Sequence, residues 1–273
     1  MKQTIFKKEV LPAIIATLLS LLIFKICGRI TEQVITNGFI AGFINQVIFT
    51  IATLVSVYVL KKNQVFQFDF NDFKAGWTSA LLLIVYILFL AYVCIMAEQP
   101  ITVRVWEALL FITQMFLVGF CEEVLFRGLI QNAWHKFFKE DTRLHIFFAL
   151  LFTGITFGMA HMTNGFDPKI GFAAAFNQAI ATSFMGMYFG IIYFRTGKNI
   201  WFLIILHGLY DLVLSIMNGR LSGVNMEDLL ARAQTIKFSS ILTQAAVLLL
   251  AVAIALFSKR TDALLKKDGT EII

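Results

Sequence analysis

The chain is short of charge. Only 15% of its 273 residues are Asp, Glu, Lys or Arg, against about 25% in ordinary soluble domains, which excludes a protein held in solution by a charged shell. Three prolines exclude a Pro-rich linker, and there is no low-complexity stretch or repeat of solenoid period. The three cysteines, Cys27, Cys94 and Cys121, lie in or beside apolar runs without CxxC spacing. Neither a disulfide framework nor a zinc cluster is indicated.

Apolar residues fill the space that charge leaves. Hydrophobic residues make up 59% of the chain, 29 of them Phe, and mean hydropathy is +0.79. This composition predicts an all-α, polytopic integral protein of the cell membrane, a single membrane domain over residues 1–273. Runs of about 20 apolar residues predict eight transmembrane helices: Val10–Cys27, Phe39–Leu60, Ala75–Ala97, Trp106–Trp134, Leu144–His161, Ile170–Phe194, Ile200–Met217 and Ser239–Phe257. The polar second half of the fourth, with Gln131 and Asn132, is expected to leave the membrane before Trp134. The first run follows Lys2, Lys7 and Lys8 as a signal peptide would, but it is long and ends in Lys25 without a small-residue cleavage site, so an uncleaved anchor is expected.

With the N-terminus inside, the cytoplasmic segments hold about 15 Lys and Arg and the outer ones about 6, as the positive-inside rule requires. Both termini are therefore expected in the cytoplasm. The net charge of +6 sits at membrane boundaries and points to the lipid bilayer as partner, not to nucleic acid. The tail basic residues Lys259, Arg260, Lys266 and Lys267 read as a stop-transfer flank. Met226, Leu229 and Leu230, at amphipathic spacing in the Asn218–Phe238 loop, read as a covered connector or an interfacial helix.

Against this background Glu122, Glu123 and Arg127 stand out. Each ionised residue at the centre of a membrane helix costs roughly 2.5 to 3.5 kcal/mol, so the three together rival the net stability of a domain, about 5 to 15 kcal/mol. Pairing, a wet cavity or both must offset that cost. On a helix Glu123 and Arg127 share a face, while Glu122 points about 100° away and is left as the carboxylate without a local partner. Two carboxylates facing one Arg leave a charge over, which a structural network has little reason to carry. Phe157 with His161, and His207 with Asp211, repeat the four-residue spacing. Counting about 1.5 Å per residue, these groups lie at depths scattered around the bilayer middle. Cys121 reads as a small buried residue, His135 and His145 as solvated residues of a basic loop, and Gly154, Gly158, Gly186 and Gly190 as small-residue helix contacts.

Read as motifs, Glu122–Arg127 fits EExxxR, Phe157–His161 fits FxxxH and His207–Asp211 fits HxxxN/D. In this order, on separate membrane helices, the chain resembles the CAAX prenyl endopeptidases and bacteriocin-processing or immunity proteins called CPBP or Abi. The motif-bearing core covers approximately residues 104–217. The resemblance implies an intramembrane endopeptidase in which Glu122 activates water as general base and His161 shares that water. Glu123 and Arg127 would hold the helix and the local charge, and His207 with Asp211 would steady the oxyanion. Family members often carry Asn where this chain has Asp211, and the reading preferred here is that Asp211 orients His207 as an imidazolium donor. Glu122, His161 and His207 also supply the His/His/Glu set of a catalytic zinc site, although no HExxH is present; the expectation is no cofactor. The implied partner is a membrane-associated protein or peptide, either a CAAX-like substrate or a leader, bacteriocin or pheromone peptide. A non-catalytic immunity or regulatory protein that binds such a peptide is the alternative, and a proton-coupled transporter is disfavoured by the lack of an internal repeat.

Overall fold

A computed structural model describes residues 2–98, 100–166, 170–224 and 238–270. Among these residues there is no strand, and the helices form one bundle. In chain order they are α1 (Lys2–Val34), α2 (Gly38–Val59), α3 (Phe70–Ser79), α4 (Leu81–Met96), α5 (Val105–Phe138), α6 (Arg143–Met162), α7 (Phe172–Arg195), α8 (Ile200–Met217), α9 (Phe238–Leu256) and α10 (Lys259–Thr270). The protein is a multi-pass membrane protein. Of the described helices, α1, α2, α5, α6, α8 and α9 are long and apolar enough to cross a bilayer, and α3 with α4 makes a seventh crossing if counted as one broken span. The 24-residue α7 is more polar; it runs through the interior, with every residue from Met185 to Phe194 buried, so other helices rather than lipid cover it. The amphipathic residues of the 218–238 loop lie outside the described residues.

Side-chain caps start several helices. Asn37 Oδ1 accepts from the Phe39 and Ile40 amides, Asp69 from Asn71 and Asp72, Thr142 from His145 and Asn199 from Trp201. Each satisfies an amide that the first turn leaves orphaned.

Two expected spans take a different form. The run Ala75–Ala97 is not one straight helix but bends by 67° between α3 and α4. Gly76 lies against Phe202, where a Cβ would come within 2.4 Å of the ring, and Asp72 pairs with Arg260 at 3.0 Å; these contacts hold α3 to the end of the bundle. The second half of α5 is packed inside the protein. From Val124 to Gln131 it is π-helical and wholly buried, and His135, expected to be solvated, is 2% exposed. The reason is a set of internal partners: Gln131 donates to Gly190 O at 2.9 Å and meets His135 Nε2 at 3.0 Å, and His135 Nδ1 lies 3.1 Å from Glu140. His145 is half-buried and paired with Asp141.

The small residues of α6 and α7 bring those helices together as their spacing predicts. A Cβ on Gly158 would lie 2.0 Å from Ser183 Oγ and 2.3 Å from Ala179 O, and one on Gly154 2.6 Å from Ser183 O. Helices five and eight meet the same way, since a Cβ on Gly119 would sit 2.9 Å from both Gly208 N and Ile204 O. That contact sets His207 of α8 against the Glu122–Glu123 turn of α5.

Candidate active site

At the junction where α5 passes from α- to π-helix, Glu122 and Glu123 project in different directions and meet different partners. Glu123 is fully buried. Its Oε1 accepts from His207 Nδ1 at 2.7 Å and lies 3.2 Å from Arg127 Nη1. Arg127, the largest fully buried side chain among the described residues, also donates to Gly186 O at 3.3 Å. Its guanidinium lies 4.7 Å from the Phe157 ring centroid and 5.3 Å from that of Phe189, so two aromatic faces and one carboxylate replace the water it has lost. A π-helical turn at this point fits the general association of such turns with functional sites.

His207 is clamped. Its ring stacks on Phe189 at 4.8 Å, Nδ1 is tied to Glu123, and Nε2 faces Asp211 Oδ2 at 3.4 Å and Glu122 Oε2 at 3.7 Å. In a triad the orienting carboxylate sits on Nδ1. Here Glu123 stands on Nδ1 and Asp211 on the far nitrogen. His161 donates from Nδ1 to Phe157 O at 2.9 Å, which leaves Nε2 as the remaining nitrogen for other chemistry.

Glu122, His161, His207, Asp211 and Phe157 line one cavity of about 380 Å³. Glu122 and Asp211 keep 20% and 24% side-chain exposure, while Glu123 has none. The arrangement divides the acidic pair: Glu123 is consumed in holding Arg127 and His207, and Glu122 faces the space where a substrate would lie. Six carboxamides, Gln46, Gln114, Asn177, Gln178, Asn218 and Gln244, share the lining, and Gln114 Oε1 is buried without a hydrogen-bond partner. Sequence reasoning missed this collar, the Glu123–His207 bond and Phe189. The available signal was Gly208 beside His207, which marks a close helix contact without naming its partner.

Cys121 is fully buried, within 3.4 Å of Gln46 Nε2 and Thr50 Oγ1, and is absent from the cavity lining. The zinc set of Glu122, His161 and His207 fits poorly. Both His207 nitrogens are turned to carboxylates, and among the described residues no three His, Cys, Asp or Glu side chains are placed to hold a metal ion.

Residues 104–213 match the model of the Rce1-like family, described as type II CAAX prenyl endopeptidase Rce1-like. Over this segment the chain is similar to the CAAX prenyl endopeptidases. The match runs from the N-cap of α5 into α8 and so contains Glu122, Glu123, Arg127, Phe157, His161, His207 and Asp211, while Gln46, Asn218 and Gln244 of the cavity lining lie outside it. No curated protein matches the chain.

Proposed function

We propose that this CAAX-type membrane protease is a glutamate-dependent endopeptidase that hydrolyses a peptide bond of a membrane-associated protein or peptide. The observation that carries this reading is the division of labour between the two glutamates: Glu123 is locked, and Glu122 shares a cavity with His161, His207 and Asp211. Water held between Glu122 and His161 Nε2 gives a proton to Glu122 as its oxygen attacks the scissile carbonyl carbon. His207, oriented through Nδ1 by Glu123, offers Nε2–H to the developing oxyanion. Glu122 then passes the proton to the departing amine nitrogen as the C–N bond breaks. The carboxamide collar supplies paired donors and acceptors for the substrate main chain.

The test is processing by the solubilised protein with Glu122 replaced. Glu122→Gln is expected to lower kcat by a factor of about 10² to 10⁴, the usual contribution of a general base, with the fold retained. Full activity in that variant contradicts the mechanism.

A further inference from the structure

The lining of the Glu122 cavity comes from one end of the bundle. His161 is the penultimate residue of α6, Asn177 and Gln178 lie in the second turn of α7, Asn218 caps the end of α8, and Gln244 is in the second turn of α9. The same end is knitted by Asn37 to Glu107 at 2.8 Å, Lys25 to Asn164 at 2.7 Å, Asn164 to Gln178 at 2.9 Å and Thr102 N to Leu221 O at 2.9 Å.

The opposite end carries most of the basic residues. Lys62 and Lys136 meet Glu9 there, Lys198 meets Glu140, and Arg260 meets Asp72. A separate cavity opens among Lys8, Lys139 and Asn132. Between the two ends lies the dry layer of Val124–Ile130 with Arg127 at its centre, every residue buried. Among the described residues, segments at the basic end hold about 15 Lys and Arg, whereas those at the Glu122 end hold Arg29, Arg104 and Arg220, an asymmetry of the kind the positive-inside rule reads.

We infer that the Glu122 cavity opens on the non-cytoplasmic face, so that, granted the protease reading above, the substrate is a peptide segment already carried to that side of the membrane. A C-terminal prenylated segment made in the cytoplasm would meet the basic end, with the Arg127 layer between it and Glu122. An exported leader, or the outer juxtamembrane stretch of a membrane protein, meets the carboxamide collar directly.

Thiol accessibility in intact cells tests the sidedness without reference to proteolysis. In full-length protein with Cys27, Cys94 and Cys121 changed to Ser, single cysteines are introduced as Asn177→Cys or Asn218→Cys at the cavity and Lys136→Cys at the basic end. A membrane-impermeant maleimide is expected to modify the first two in intact cells as fully as in permeabilised ones, and the third only after permeabilisation. Labelling of Lys136→Cys in intact cells, or of Asn177→Cys only after permeabilisation, overturns the inference. No labelling of Asn177→Cys or Asn218→Cys in either condition also overturns it, because the cavity would then not open at that end. Loss of processing in Glu122→Gln leaves this outcome untouched, so the two readings fail separately.

Discussion

Glu122 and Glu123 are neighbours in the chain with opposite demands on them. Removing the charge of Glu123 strands Arg127 in a fully buried place and frees His207 Nδ1, whereas removing that of Glu122 strands no buried cation. Glu123→Gln is therefore expected to cost about 3 to 5 kcal/mol of stability, the usual penalty for breaking a buried pair, and to abolish processing as well. Glu122→Gln is expected to abolish processing with little change in the unfolding midpoint. Unfolding curves of the two variants in the same detergent check this contrast. Asp211 stands 3.4 Å from His207 Nε2, where its negative charge opposes an oxyanion that the same nitrogen would serve. Asp211→Asn, which restores a donor, is expected to keep or raise kcat in a peptide-processing assay. A large loss would assign Asp211 a proton-transfer role instead. The EExxxR spacing made the Glu123–Arg127 pair readable in advance. It did not reveal that His207 completes the same network, because that bond joins residues 84 positions apart and depends on the close approach of α5 to α8.

At the scale of the helices, glycine decides where the side chains of the candidate site stand. Gly158→Ala puts a methyl group into the space of Ser183 Oγ and the backbone oxygen of Ala179, forcing α6 off α7 and displacing Phe157 and His161 on either side. The expected cost is about 1 to 3 kcal/mol, with processing reduced beyond what the lost stability explains; thermal unfolding and kcat measured on the same preparation separate the two. The helices themselves, and the small-residue stripes that pair α6 with α7, were legible from apolar length and spacing. The π-helical half of α5 was not. Gln131 and, just beyond it, Asn132 and His135 look like an exit toward water in one dimension, yet Gly190 O and Tyr193 accept from Gln131 and Asn132 across the bundle, and His135 is buried beside Glu140. The bend at Ala80 was hidden for a similar reason, because Phe202 and Arg260, far along the chain, hold α3.

For the whole molecule, the bundle separates a carboxamide-lined cavity from a basic end by a buried layer built on Arg127. The composition made the membrane class plain, and three short motifs in order pointed to the family before any coordinates. Which glutamate is locked and which is free needed the packed structure. Since Glu122 and His161 activate water in this account without a metal, processing is expected to persist in the presence of strong chelators. Chelator-induced loss restored by zinc would contradict that. The most direct measurement of the central claim is a comparison of peptide termini in membrane and secreted fractions from cells carrying the intact protein or Glu122→Gln at equal abundance. New termini present only with the intact protein are the predicted result, and they name the substrate at the same time. Identical termini in both would contradict an endopeptidase built on Glu122.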